Sequence, residues 1–225
     1  MIAKYMIYFT VMGFIGYIYE CIAMTLWLGR WDNRGSLYGP FIPIYGLGAL
    51  GGSLFLMHCL PEHTPLVVFL TGLIGSALLE YPIHYLIDKY LHQTYWDYSR
   101  SPLNLHGRIC LPAAIGFGIG ALVIIYGINS MLIPWIENLP VTAVNFFAGL
   151  AAMLLILDIF FSAKGLKSSN PRLDEAKNRI DQTMDHFFRR FLTEGKGIDR
   201  LFFGAVERIS WFSSKSESKT EQKTE

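Results

Sequence analysis

Three carboxylates stand inside long apolar runs of this chain: Glu20, Glu80 and Asp158. An Asp held at the centre of a bilayer costs about 2.5–3.5 kcal/mol on an insertion scale, so a carboxylate kept there implies a partner or a function. Glu80 heads the sharpest pattern. Tyr81, His84 and Asp88 share its side at helical spacing, which would let the imidazole pair with either acid, hold it ionised or relay a proton. A Glu–His pair on one helix is also a common structural arrangement. Two other stretches raise the functional reading here. One is Asn33-Arg34-Gly35-Ser36-Leu37-Tyr38-Gly39-Pro40, continuing to Tyr45-Gly46; the other is Trp96-Asp97-Tyr98-Ser99 followed by Asn104-Leu105-His106-Gly107-Arg108. Both are rich in Gly, aromatic and amide residues. Such backbone is tolerated near a membrane where protein or water covers it. Arg34 and Arg108 suit pairing with an intramembrane acid, or holding a phosphate or carboxylate; snorkelling to the interface is the plain alternative. The candidate substrate-binding residues are therefore Glu20, Arg34, Tyr45, Glu80, His84, Trp96, Asp97, Asn104 and Arg108.

The elements that must position these groups are membrane helices. Of 225 residues, 52% are hydrophobic and 16% charged, where a soluble domain is nearer a quarter charged. Five stretches reach the roughly 20 apolar residues a span needs: 5–28, 41–60, 65–87, 110–132 and 141–163. Pro65 and Pro112 fit first-turn positions of the third and fourth. Residues 133–140 read as a short turn. The first run is too long, and carries Glu20 too centrally, for a cleaved signal peptide. The expected class is all-α: a polytopic membrane bundle of about five spans with cytoplasmic amphipathic helices. The expected division is a transmembrane domain over 1–165, a cytoplasmic amphipathic region over 166–212 and a disordered tail over 213–225. Asn170-Pro171 opens the first amphipathic helix, with Leu173, Ala176, Ile180, Met184, Phe187 and Phe191 on one stripe; Leu201 to Trp211 suggests a second. Such helices lie in the membrane interface or pack on the protein itself.

Charge sets an expected orientation. Loops 29–40 and 88–109 and the tail hold 18 basic residues, and the other side holds only Lys4. The positive-inside rule then places the N-terminus outside and the C-terminus in the cytoplasm. On that topology Glu20, Glu80 and Asp158 lie roughly 12, 10 and 8 Å from the cytoplasmic face at 1.5 Å per residue. A net charge of +1 offers nothing to nucleic acid. Cys21, Cys59 and Cys110 form no disulfide or zinc pattern. No carboxylate–histidine set has metal-ligand spacing, and no cofactor is implied. Gly116 and Gly120 form a G-x-x-x-G and, with other small residues, suggest close helix packing.

The strings Gly16-Tyr17-Ile18-Tyr19-Glu20, Asn33-Arg34-Gly35, Gly39-Pro40, Pro43-Ile44-Tyr45-Gly46, Glu80-Tyr81, Trp96-Asp97-Tyr98-Ser99 and Asn104-Leu105-His106-Gly107-Arg108-Ile109 together resemble one family. It is the bacterial membrane family labelled putative ABC-transporter type IV permease. The resemblance spans about residues 5–130 and leaves the fifth span and tail uncovered. It implies a permease component. The chain has no G-x-x-x-x-G-K-[ST] loop, so an ATPase would be a separate subunit. Membrane lipid and further copies of the chain are the other expected partners.

Three functions compete on this sequence. In a transport component, acids at matched depth would bind a cation or polar solute. In a membrane-embedded enzyme acting on a lipid or lipid-linked substrate, Glu20, Glu80 or His84 would serve as acid or base, and the arginines would hold a head group. The absence of G-x-S-x-G and H-E-x-x-H weighs against the enzyme. In an accessory scaffold, the cytoplasmic helices would recruit a partner.

Overall fold

The computed structural model describes residues 1–28, 31–35, 37–92, 94, 96–165 and 171–194. The second amphipathic helix and the tail expected beyond residue 195 lie outside them. Helices account for most of the described chain. They are α1 (Ile2–Leu28), α2 (Pro43–Cys59), α3 (Pro65–Leu91), α4 (Leu111–Leu122), a π-helical segment (Val123–Ile128), α5 (Asn129–Glu137), α6 (Val141–Gly165) and α7 (Pro171–Glu194). Among the described residues, four helical stretches are long and apolar enough to cross a membrane: Ile2–Leu26, Pro65–Tyr90, Leu111–Glu137 and Val141–Ser162. At 17 residues, α2 is slightly shorter than a usual span of about 20. The chain is thus a polytopic helical membrane protein with about five apolar helices.

Local rules explain most boundaries. Thr64 caps α3 by accepting a hydrogen bond from the Val67 N–H, with Pro65 in the first turn. His92 ends the same helix in the left-handed region (φ 52°), its N–H returning to the Asp88 carbonyl. One expectation fails. The turn expected over 133–140 is helical to Glu137, running through Pro134. Proline removes one helical hydrogen bond, but Ile136 is 4% exposed in the core, and that packing carries the helix on.

The chain divides into two compact units: residues 1–18 with 35–169, and residues 19–34 with 170–225. The core of the first gathers Ile7, Tyr8 and Met12 of α1, Ala49 of α2, Ile136 of α5, and Val144 and Ala148 of α6. Helices α3 and α4 also cross closely. A methyl on Gly72 would lie 2.7 Å from the Phe117 carbonyl, and one on Gly118 would lie 2.6 Å from the Phe69 ring. Gly116 and Gly120 face open space. The close approach in α4 therefore uses Gly118, not the G-x-x-x-G pair.

Candidate functional site

Glu80 is 5% exposed, one turn before His84 on α3. Between them Pro82 continues the helix without an N–H to donate. No other acid among the described residues is as buried, and a carboxyl group at that depth is kept at a cost that implies a partner or a function.

His84 does not pair with either acid. Its Nε2 lies 3.0 Å from the Trp96 carbonyl, which can only accept, so Nε2 carries the proton. Its Nδ1 is buried and makes no hydrogen bond. The Trp96 ring stands edge-on to the imidazole at 5.2 Å, and its indole N–H donates to the Arg108 carbonyl at 2.9 Å. Trp96 therefore joins the α3 face to the far side of the loop.

Loop 96–110 is a self-bonded knot. Strands Asn104–Leu105 and Ile109–Cys110 pair antiparallel. His106 and Gly107 take positive φ of 54° and 68°, the left-handed pair that tight hairpins require. The Asp97 carboxylate accepts from the Ser99 N–H at 2.8 Å and the Ser99 hydroxyl at 3.0 Å. These bonds hold the Asp97 carboxyl below its ordinary value of 3.8. Asn104 donates to the Ser99 and Ser101 carbonyls and accepts from the Gly107 N–H. Asp97 and Asn104 thus use their polar atoms to shape the loop.

Arg108 closes the other side. It stands 3.5 Å from Asp88, donates to the Tyr81 hydroxyl at 3.4 Å, and lies over the Tyr81 and Tyr85 rings at 5.3 and 5.0 Å. Tyr81 also meets His106 Nδ1 at 3.1 Å. The partner of Arg108 is thus Asp88, a half-exposed acid at the end of α3, rather than a carboxylate deep in a span. Tyr45 is a packing residue: its ring fills the notch over Gly16 and meets Phe117 at 5.9 Å.

Asp158 has a role that its position alone did not disclose. Its carboxylate accepts from the Tyr38 N–H at 3.0 Å and the Gly39 N–H at 2.9 Å, with the Ser162 hydroxyl at 3.3 Å. A methyl on Gly39 would come within 2.7 Å of that carboxylate. Asp158 latches loop 37–39 to α6. A second unforeseen group joins Tyr8, Ser53 and Asn129. The Tyr8 hydroxyl donates to Asn129 Oδ1 at 2.8 Å, Asn129 Nδ2 donates to Ser53 Oγ at 3.1 Å, and Ser53 Oγ lies 3.0 Å from the Tyr8 oxygen. The ring of donors closes on itself. Only the amide amid apolar residues at 129 hinted at it.

The second unit holds Glu20 and Arg34 together at 3.8 Å, with Asp32 also 3.7 Å from the guanidinium. The Arg34 N–H points to Cys21 Sγ and the Asp32 N–H to Thr25 Oγ1. The same loop docks on α7. The Trp31 N–H donates to Asp185, the Trp31 indole and the Asn33 amide both donate to Asp181, and Trp31 stacks on Phe188 at 5.2 Å. Of the nine candidate residues, Glu20 and Arg34 lie in the second unit and the other seven in the first, where Tyr45 packs apart from the His84, Trp96 and Arg108 contacts.

No curated protein and no solved structure matches the chain. A family model does, over residues 7–163. The match runs past the motif strings, beyond the expected limit near residue 130, and takes in α6. On that coverage the chain belongs to the family described as "Putative ABC-transporter type IV".

Proposed function

We propose that the chain is the membrane-spanning subunit of a transport system, with a polar site in the cytoplasmic half of the bilayer centred on Glu80. The observation that carries this reading is a carboxylate 5% exposed within a span, beside the bonded loop of Trp96, Asp97, Asn104 and Arg108. A buried acid of this kind suits a cation or a polar solute with a donor group. His84, with Nδ1 unbonded, lies one turn away to receive a donor. Trp96, Asp97 and Asn104 hold the loop in place, and Arg108 fixes its edge to α3. Glu20 with Arg34 is a second polar station. The N-terminus lies outside and the C-terminus in the cytoplasm, on the balance of basic residues. Energy comes from a separate ATPase subunit, since the sequence has no phosphate-binding loop.

The test begins with affinity purification of the full chain from its native membrane. A P-loop ATPase should copurify, and its ATP turnover should depend on the membrane subunit. Glu80→Gln should leave yield and helicity unchanged while lowering that turnover at least about tenfold, the scale of a lost ionic contact. Full turnover in E80Q would show that Glu80 ionisation has no part in the activity. The second reading, an enzyme acting on a lipid or lipid-linked substrate, draws on the same unbonded Nδ1 as a base. Turnover of a lipid by the purified chain without ATP would establish it in place of transport.

A further inference from the structure

α7 carries two kinds of face. Asp181, Asp185, Met184 and Phe188 are half-buried, and Asp181, Asp185 and Phe188 hold Trp31 and Asn33. Ala176, Ile180 and Phe187 are exposed, Ile180 and Phe187 each at 59%. By helical spacing these three form one row. The neighbouring row, again by spacing, holds Arg179, Thr183, His186 and Arg190, all exposed. Arg179, Gln182, Thr183 and His186 line an open depression on that side. Asp181 and Asp185 thus serve the loop, while the row with Arg179 and Arg190 borders the exposed apolar one. Glu175 pairs with Arg179 at 2.7 Å, an exposed pair of the kind water and salt weaken. The chain leaves the apolar helix α6 at Gly165 and enters α7 at Pro171. Five residues join them, so six Cα–Cα steps of at most about 3.6 Å each tether the start of α7 within about 22 Å of the end of a span.

We infer that α7 seats on an anionic phospholipid surface, with Ile180 and Phe187 in the acyl boundary and Arg179 and Arg190 at the phosphates. The apolar row supplies burial, the adjacent cations supply head-group contacts, and the tether supplies proximity. A helix held in this way also fixes Trp31 and Asn33, and with them the loop that carries Arg34, the partner of Glu20. The bilayer thereby becomes part of what orders that loop. The inference rests on the membrane assignment and not on the transported substrate, so a failed ATPase test leaves it standing.

The test uses the full chain in lipid nanodiscs. Cys21, Cys59 and Cys110 are replaced by alanine, and one spin label is placed by Ile180→Cys, Phe187→Cys or Gln182→Cys. Collision rates are read with oxygen, which concentrates in lipid, and with a water-soluble nickel chelate. In phosphatidylglycerol discs, labels at 180 and 187 should favour oxygen severalfold over the label at 182. That preference should fall in phosphatidylcholine discs, and in Arg179→Glu/Arg190→Glu in either lipid. Equal nickel access at 180, 187 and 182 in phosphatidylglycerol would overturn the inference. So would a preference indifferent to head-group charge. A preference that vanishes when residues 195–225 are deleted would assign the covering surface to the chain's own tail, and would likewise overturn it.

Discussion

Three carboxyl groups of this chain sit in different settings. Glu80 is the most buried acid among the described residues, while Asp97 and Asp158 hold loops in place. Asp97 gives a pH prediction. Its carboxyl titrates below the ordinary value of 3.8 because the Ser99 N–H and hydroxyl bond the ionised form. A depressed native pKa means its contribution to the loop is complete above the unfolded value of about 4 and is lost as pH falls through the lower native one. Protection of the loop 96–110 amides, read by hydrogen exchange, should hold at pH 5 and weaken only in stronger acid. Asp97→Asn should abolish that acid dependence; an unchanged acid profile in the variant would remove Asp97 as its source. Asp158→Asn keeps the shape of the latch but weakens the acceptor for two N–H groups. The expected cost is about 1–2 kcal/mol, the difference between a charged and a neutral hydrogen bond, visible as faster exchange at Tyr38 and Gly39.

Helices meet here by close backbone approach and by small polar clusters. At the α3–α4 crossing, Gly118→Val should cost about 1–3 kcal/mol through overpacking against Phe69. Gly116→Ala and Gly120→Ala point into open space and should be neutral, or stabilising by up to about 1 kcal/mol from helix propensity. Unfolding titration in mixed micelles separates the two cases, and equal losses at 116 and 118 would contradict the assigned crossing. The π segment matters to the second kind of contact. A π turn holds one residue more than an α turn, which rotates the next stretch of helix by about 100°. Asn129, the residue immediately after it, closes the bonded ring with Tyr8 and Ser53. Asn129→Leu should lower stability by about 0.6 to at most about 1.7 kcal/mol, the average and the maximum of hydrogen-bond couplings between membrane helices. The double variant Tyr8→Phe/Asn129→Leu should cost less than the sum of the single changes, because the three groups act as one network.

For the whole molecule, topology is the property most open to direct measurement. If the N-terminus lies outside, as proposed, the loop joining α2 to α3 is external, and exposed Cys59 closes α2 beside it. An impermeant maleimide applied to intact cells should label Cys59 and spare buried Cys21 and Cys110. Labelling of Cys59 only after membrane disruption would reverse the orientation. The same experiment bears on Glu80, whose cytoplasmic depth depends on the same topology.

The sequence alone was enough for the membrane class, a bundle of about five apolar helices, the start of α3, the start of α7 at Pro171 and the family. Hydropathy, proline position and motif strings are local or additive signals, and the cost of exposing polar backbone to lipid leaves few alternatives. The Glu20–Arg34 pair was also within reach, since an acid and a base in adjacent segments of an apolar chain seek each other. Other assignments needed the folded chain. Asp158 as a loop latch, His84 bonded to a carbonyl instead of an acid, Gly118 instead of Gly116 at the crossing, and helix continuing through Pro134 all depend on which surface each helix turns toward its neighbour. That rotation is set by the summed packing of many side chains far apart in sequence, and spacing along one helix does not contain it.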